Sequence, residues 1–214
     1  MLNQGIWTST RKRLSHSSRE AGISAPFPIY LSGDNYMLDA IDTNNGNDDN
    51  FFVGEDQKAG SQISRAWIKA DLSVLSGNII SSIELVLTPI TDLSANARTM
   101  SAHRCLRSGA HETQMKWTEY ATGVAWGTAG ASNSSTDYGG ASPLGTMAVP
   151  ASPTLNSPMT MELDTDIMQD MVDGVLANNG IILFVDTQAS DAIAYASRTH
   201  ATEAYRPYLS VRIQ

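Results

Sequence analysis

Residues 81–90 read SSIELVLTPI. Side chains of an extended chain alternate between faces, so Ile83, Leu85 and Leu87 point one way and Glu84 the other. The closing stretch, YLSVRIQ at 208–214, repeats the pattern, with Leu209, Val211 and Ile213 on one face and Arg212 opposite. Working outward, short apolar runs recur between turn signals: YMLDAI at 36–41, FFVG at 51–54, AWIKADL at 66–72, TMSAHRCL at 99–106, GIILFVD at 180–186 and AIAYASR at 192–198. Runs of this length and spacing predict an all-β sandwich or barrel from Ile29 onward. Trp67, Trp117 and Trp126 lie within this region, and their bulk suits such a core.

Three segments depart from the strand pattern. Residues 1–28 show neither structural period and end in Pro-Phe-Pro, which predicts an extended N-terminal arm with Ile6, Trp7 and Leu14 as apolar anchors. Residues 123–158 are rich in Gly, Ser and Pro; so long a loop in a compact domain is commonly functional or weakly ordered. In residues 161–180, Glu162, Asp164 and Asp166 alternate with Met161, Leu163 and Thr165, as on a half-exposed strand. Asp166 then serves as a helix cap, with Gln169 completing a capping box. Ile167, Met171 and Val175 form the buried stripe of that one short helix, and Gly180 opens the next strand.

The chain of 214 residues carries a formal charge of −8. Residues 1–27 hold four basic side chains (Arg11, Lys12, Arg13, Arg19) against Glu20, or +3; the remainder holds ten basic and twenty-one acidic ones, or −11. An acidic body argues against nucleic acid binding there, because phosphate contacts need Lys and Arg. A basic arm is a feature that docks on acidic partners. A single cysteine, Cys105, allows no intrachain disulfide. No apolar stretch approaches the ~18 residues of a membrane span, and the first residues lack the apolar run of a secretory signal.

The acidic stretch at 39–56, DAIDTNNGNDDNFFVGED, admits two readings. Asp42, Asn44, Gly46 and Asp48 superficially resemble a calcium loop, but the EF-hand positions that need Gly and Glu are filled by Asn47 and Val53. The favoured reading is a polar turn built on the tolerance of Asn and Asp for left-handed backbone; Asp42, Asn44 and Asp48 stay as the calcium alternative. Glu162, Asp164 and Asp166 read as a solvated strand face before a catalytic pair. His16, His103, His111 and His200 lack zinc-site spacing, and neither a nucleophile elbow, a phosphate loop nor a dinucleotide fingerprint is present. No enzyme and no cofactor is expected. Trp117, Tyr120, Trp126 and Tyr138 flank the long loop, either as a stacking platform for a glycan or as loop anchors.

Several segments together resemble one family. RAWIKADLS at 65–73 followed by IISSIELVL at 79–87, WTEYATGVAW at 117–126, ELDTDIMQDMVDGVLANNGIILF at 162–184 and YASRTHATEAYRPYLSVRI at 195–213 are similar, in order and spacing, to the DNRLRE-type domain. Ala70 replaces that family's usual Phe, and the Ser-Arg of 197–198 lacks the Glu that often follows. The resemblance covers residues 29–214 and implies a jelly-roll-like antiparallel β-sandwich related to carbohydrate-binding modules, without catalytic residues. It also implies that residues 39–56 join the first two strands. Arg65 and Arg206 are then expected to pair with carboxylates, Asp71 to cap a turn, and Pro207 to enter an edge strand.

The expected function follows from the packaging. An extracellular-style sandwich without signal or disulfide, carrying a basic arm, fits a structural virion protein of a bacteriophage: a capsid decoration, fibre or tail-associated protein that leaves the host by lysis. Ile6, Trp7, Arg11, Lys12, Arg13 and Leu14 would dock on other virion proteins, and the body would be a homo-oligomer. The alternative is a carbohydrate-binding module for a host polysaccharide.

Overall fold

A computed structural model describes residues 24–39, 41–56, 62–93, 96–140, 142–185 and 191–214. The arm residues Ile6, Trp7, Arg11, Lys12, Arg13 and Leu14 lie outside them. The strands are β1 (Phe27–Leu38), β2 (Asn50–Asp56), β3 (Gln62–Ala70), β4 (Ile80–Leu87), β5 (Pro89–Asp92), β6 (Arg98–Arg104), β7 (Glu119–Ala121), β8 (Val124–Ala125), β9 (Gly145–Val149), β10 (Met159–Glu162), β11 (Ile181–Val185), β12 (Ile193–Ala196) and β13 (Tyr208–Ile213), with one helix, α1 (Thr165–Val172). Every ladder is antiparallel. The main path runs β10-β4-β13-β1-β3-β11-β6-β9, and β12 joins β2 to β5.

β1 turns this path into two layers. Its first residues pair with β13, Phe27 opposite Val211 and Tyr30 opposite Tyr208, while Leu31 to Leu38 pair with β3. The register shifts between Leu31 and Gly33. An inserted residue exchanges the faces of all that follows. Ile29 and Leu31 therefore reach the main core before the bulge, and Tyr36 and Leu38 after it, while Asn35 and Met37 turn to the opposite side. The path stays open at its ends: β9 and β10 lie side by side without a ladder, linked where Asp164 N donates to Leu144 O at 2.6 Å.

The main core lies between the layers. Ile83, Leu85 and Leu87 of β4 and Leu209 and Val211 of β13 pack with Ile68, Met100 and Leu183 of the other layer. The alternation seen in residues 81–90 and 208–214 is thus the inward face of one layer. β11 behaves differently: all five of its residues are buried. Ile181, Leu183 and Val185 join the main core, whereas Ile182 and Phe184 join a second cluster with Trp67, Met115 and Trp126 on the outer side. Residues 105–144 form the cover over that side, so this layer is buried on both faces.

Several local expectations shift. β9 forms inside the Gly/Ser/Pro-rich stretch, where Gly145, Thr146 and Met147 pair with β6. The helix is capped two residues earlier than expected: Asp164, not Asp166, accepts from the N–H groups of Asp166 and Ile167. Gln169 instead reaches across to Ile80 N at 2.8 Å and Asn78 O at 3.2 Å. Met168 and Met171 are the buried stripe, and Val175, past the helix end, is 70% exposed. β13 is an interior strand between β4 and β1, so Pro207 does not enter an edge; it sits one residue before the ladder, where no N–H is needed. Gly180 does open β11: its φ is +95°, and a Cβ there would lie 2.4 Å from Trp67 Nε1.

Candidate functional site

The densest polar arrangement lies where the 39–49 connection, the 111–119 segment and the Ser197–Arg206 connection meet. Glu112 is buried, and Arg198 grips it with Nε to Oε1 and Nη2 to Oε2, both at 2.5 Å. Glu112 Oε1 also accepts from Asp34 N at 3.0 Å, and Asp34 Oδ2 accepts from Arg198 N at 2.6 Å. Burial pushes the Asp34 carboxyl up to about 7, with the nearby Glu112 charge adding to it and the Arg198 bond opposing. Arg198 and Glu112 stand 86 positions apart, so no local pattern announces the pair.

Residues 42–48 form a clamp over this arrangement. The Asp42 carboxylate accepts from Thr118 N at 2.9 Å and Thr118 Oγ1 at 2.8 Å, and Lys116 Nζ lies 3.1 Å away. Slight burial opposes ionisation of Asp42, but the Thr118 and Lys116 contacts outweigh it and hold the carboxyl low. Asp48 Oδ2 accepts from Tyr36 OH at 2.8 Å. Asn44 Nδ2 donates to the backbone carbonyls of Glu112 (2.6 Å) and Met115 (2.8 Å). The calcium set read from the sequence is therefore not drawn together: Asp42, Asn44 and Asp48 each have separate partners. Gly46 explains the Asn-Gly pair, since a Cβ there would lie 2.5 Å from Glu112 O. The stretch is a seal between distant parts of the chain more than a solvated turn.

The four aromatic residues of the expected glycan platform do come together, but they face inward. Trp126 is buried and donates to Lys116 O at 3.0 Å. Trp117, Tyr120 and Tyr138 are half-buried against the second cluster. The Arg65 guanidinium sits 5.7 Å from the Trp117 ring centre and 4.9 Å from that of Phe184, and donates to Gly130 O and Ser132 Oγ. Arg65 thus serves the cover through rings and neutral oxygens, in place of the carboxylate pairing expected of it. Asp137, fully buried, ties the cover together by accepting from Gly127 N (2.7 Å), Thr128 N (3.0 Å), Asn133 N (3.1 Å) and Arg107 Nε (2.8 Å). Burial works against its charge, but these donors outweigh it and hold the carboxyl below its ordinary value.

Beside Arg198 an open pocket of about 320 Å³ is lined by Tyr30, Leu31, Arg198, Glu203, Arg206 and Pro207. Arg206 meets Glu203 at 3.5 Å and donates to His200 O at 2.9 Å, so its expected carboxylate pairing exists in a loose form. Tyr30 is 59% exposed and lies 5.8 Å, centre to centre, from Tyr208. An exposed ring beside guanidinium and carboxylate groups can bind a polar ligand; nothing here constitutes a nucleophile with its base. Burial pushes the Cys105 thiol up to about 11, away from thiolate chemistry. Glu162 faces solvent on β10 and Asp164 caps α1, so the acidic triplet of that region is divided between two structural tasks. Asp71 caps as expected, accepting from Ser73 N at 3.0 Å. Among the described residues no three His, Cys, Asp or Glu side chains gather as metal ligands.

No family model matches the chain, and no curated protein is significantly similar to it.

Proposed function

We propose that the chain is a non-enzymatic structural protein of a bacteriophage particle, docked by its basic N-terminal segment and presenting the sandwich outward as a capsid decoration, fibre or tail-associated protein. The observation that carries this reading is where the segment leaves the body. Ser24 N donates to Ile213 O at 3.0 Å and Ile213 N to Ser24 Oγ at 2.9 Å, so the chain is fastened to the end of β13 before β1 begins. Ser24 thus lies at the end of an acidic body opposite the connections beyond the far end of β1, and residues 1–27 carry a formal +3. The buried Glu112 and Asp137 carboxylates are engaged in holding loops. The test is particle occupancy when the full chain and a chain lacking residues 1–23 are each expressed with the neighbouring particle genes. Full-length protein on particles and a loss of at least tenfold on truncation are expected. Undiminished occupancy of the truncated chain removes the docking arm, and absence of both chains from particles removes the virion reading.

A second reading, a carbohydrate-binding module, is favoured by the Tyr30–Arg206 pocket and not by the four inward-facing aromatics. Binding of a purified polysaccharide that Tyr30→Ala abolishes and Trp117→Ala spares would support it.

A further inference from the structure

We infer that the Asn179–Gly180 peptide is a site of spontaneous covalent modification, where the Asn179 carboxamide is lost and the main chain is rerouted through the side chain. Asn–Gly is the pair at which this chemistry is least hindered, because glycine sets no side chain beside its nitrogen. The sequence holds two such pairs, and both read Asn-Asn-Gly: residues 44–46 and 178–180. Their intrinsic reactivity is therefore matched. The fold treats them differently.

At the first pair each reacting group is engaged. Asn45 Nδ2 donates to Tyr36 O at 2.9 Å and to Thr43 O at 3.4 Å. Gly46 N donates to Asn44 Oδ1 at 3.2 Å, and the glycine is pressed against Glu112 O. At the second pair the main chain is held but the reacting groups are free. Asn179 O accepts from Trp67 Nε1 and Gly180 O from Cys105 N, both at 2.9 Å, and Asn178 Nδ2 is tied to Ala70 O. The half-buried Asn179 carboxamide makes no hydrogen bond among the described residues, and neither of its polar atoms is sealed from solvent. Gly180, at a φ of +95°, has an N–H that donates to none of the described residues either. Gly180 is itself buried, where a main-chain N–H is ordinarily paired. Electrophile and nucleophile are thus neighbours, and no hydrogen bond of either has to break before they meet.

The step balances with hydroxide and water alone. Hydroxide takes the Gly180 amide proton, the nitrogen attacks Asn179 Cγ, and ammonia leaves as a five-membered succinimide closes. Water then opens the ring at one of its two carbonyls. Opening at the side-chain carbonyl leaves aspartate at 179. Opening at the main-chain carbonyl leaves an isoaspartyl link, with one more methylene in the chain and the former Asn179 carbonyl released as a carboxylate. That second product reaches into the fold. The carbonyl it converts is the acceptor of the Trp67 N–H, and Trp67 is 2% exposed in the cluster beneath the cover. The added methylene falls just before β11, where Ile181 pairs with both Ile68 and Arg104. Gly180 already lies too close to Trp67 for a Cβ, so the extra length has to shift the ring or the strand.

The test incubates the full chain in warm, mildly alkaline buffer, folded and in urea, with peptide mapping by mass spectrometry and an isoaspartate assay. In urea the two pairs should convert at the same rate. In the folded chain Asn179 should convert about tenfold faster than Asn45 or more, since Asn45 reacts only when its loop opens. The rate at Asn179 should rise with pH, and the aged chain should melt at a lower Tm. Asn179→Gln, which keeps the main-chain carbonyl and disfavours the ring, should hold its Tm through the same incubation. Folded Asn45 converting as fast as Asn179, or folding that protects Asn179 as strongly as Asn45, would overturn the assignment. A Tm decline undiminished in Asn179→Gln would overturn the link from this peptide to Trp67 and β11.

Discussion

The two layers of the sandwich bury their strands differently. In the β10-β4-β13 layer one face is apolar and the other wet: Leu85 and Leu209 face in, while Glu84 and Arg212 face out. In the β3-β11-β6 layer both faces are covered, the inner by the first layer and the outer by residues 105–144. The first kind of layer needs only its partner layer. The second depends on a long irregular segment staying in place, and polar groups such as buried Asp137 and Glu112 and half-buried Arg65 help to fasten it. Hydrophobic burial holds the layers together; the cover adds directed hydrogen bonds to an apolar cluster of its own.

That contrast can be broken from either side. Leu85→Ala, at a fully buried position in the shared core, should destabilise the whole fold by about 2–5 kcal/mol in urea unfolding, with every probe moving together. A loss confined to one layer would show that the two are not one cooperative unit. Arg198→Ala leaves the buried Glu112 carboxylate without its partner. Because Arg198 is partly exposed, about 2 kcal/mol is expected, below the cost of breaking a fully buried pair. Trp126→Ala should act locally, raising hydrogen exchange across 105–144 while the amides of β4 and β13 keep their protection; uniform loss would make the cover part of the global core. Ser82→Ala, on the wet face of β4, should stay within about 0.5 kcal/mol.

Two carboxyls of the covered layer should answer pH with opposite signs. Asp34 has a folded pKa of about 7, above its unfolded value of about 3.9. Between these values the folded state keeps a proton that the unfolded state has released, so stability is fully present below pH ~4 and falls as pH rises through 7. Asp137 is shifted downward, so its contribution is present above its unfolded value and is lost as pH falls through the folded one. Denaturation midpoints should therefore decline from pH 5 to 8 in the wild type and be flatter in Asp34→Asn. Protection of the 105–144 amides should fail first on the acid side. A midpoint decline that Asp34→Asn leaves intact would remove Asp34 as its cause.

What the sequence revealed follows the same division. Period-2 alternation made residues 81–90 and 208–214 legible because one face meets water. β11 and β3 were legible as strands, but not as two-sided ones, since a run of apolar residues does not say what covers each face. β9 escaped notice because Gly145 and Ala148 weaken the strand signal of so short a run, and its place is fixed by β6. The clustering of Trp117, Tyr120, Trp126 and Tyr138 was readable from spacing, yet their inward direction depends on Phe184 and Arg65, which arrive from other strands. Asn44 drew attention for its neighbours in sequence; its partners in space, Glu112 and Met115, lie about seventy positions away.

The seam between β9 and β10 has a consequence for how copies of this protein can meet. An open sheet ordinarily offers its terminal strands as templates for a strand from another molecule. Here the two terminal strands of the main path face each other, with Asp164 bonded to Leu144 and the Gly145 α-carbon pressed so close to Glu162 O that a methyl group would collide at 2.1 Å. Each edge occupies the approach to the other, and an incoming strand would first have to part them. Edge-to-edge pairing with a strand of another molecule is thereby obstructed at this seam, whereas β5, bonded among the described residues to β12 alone, keeps an unpaired edge.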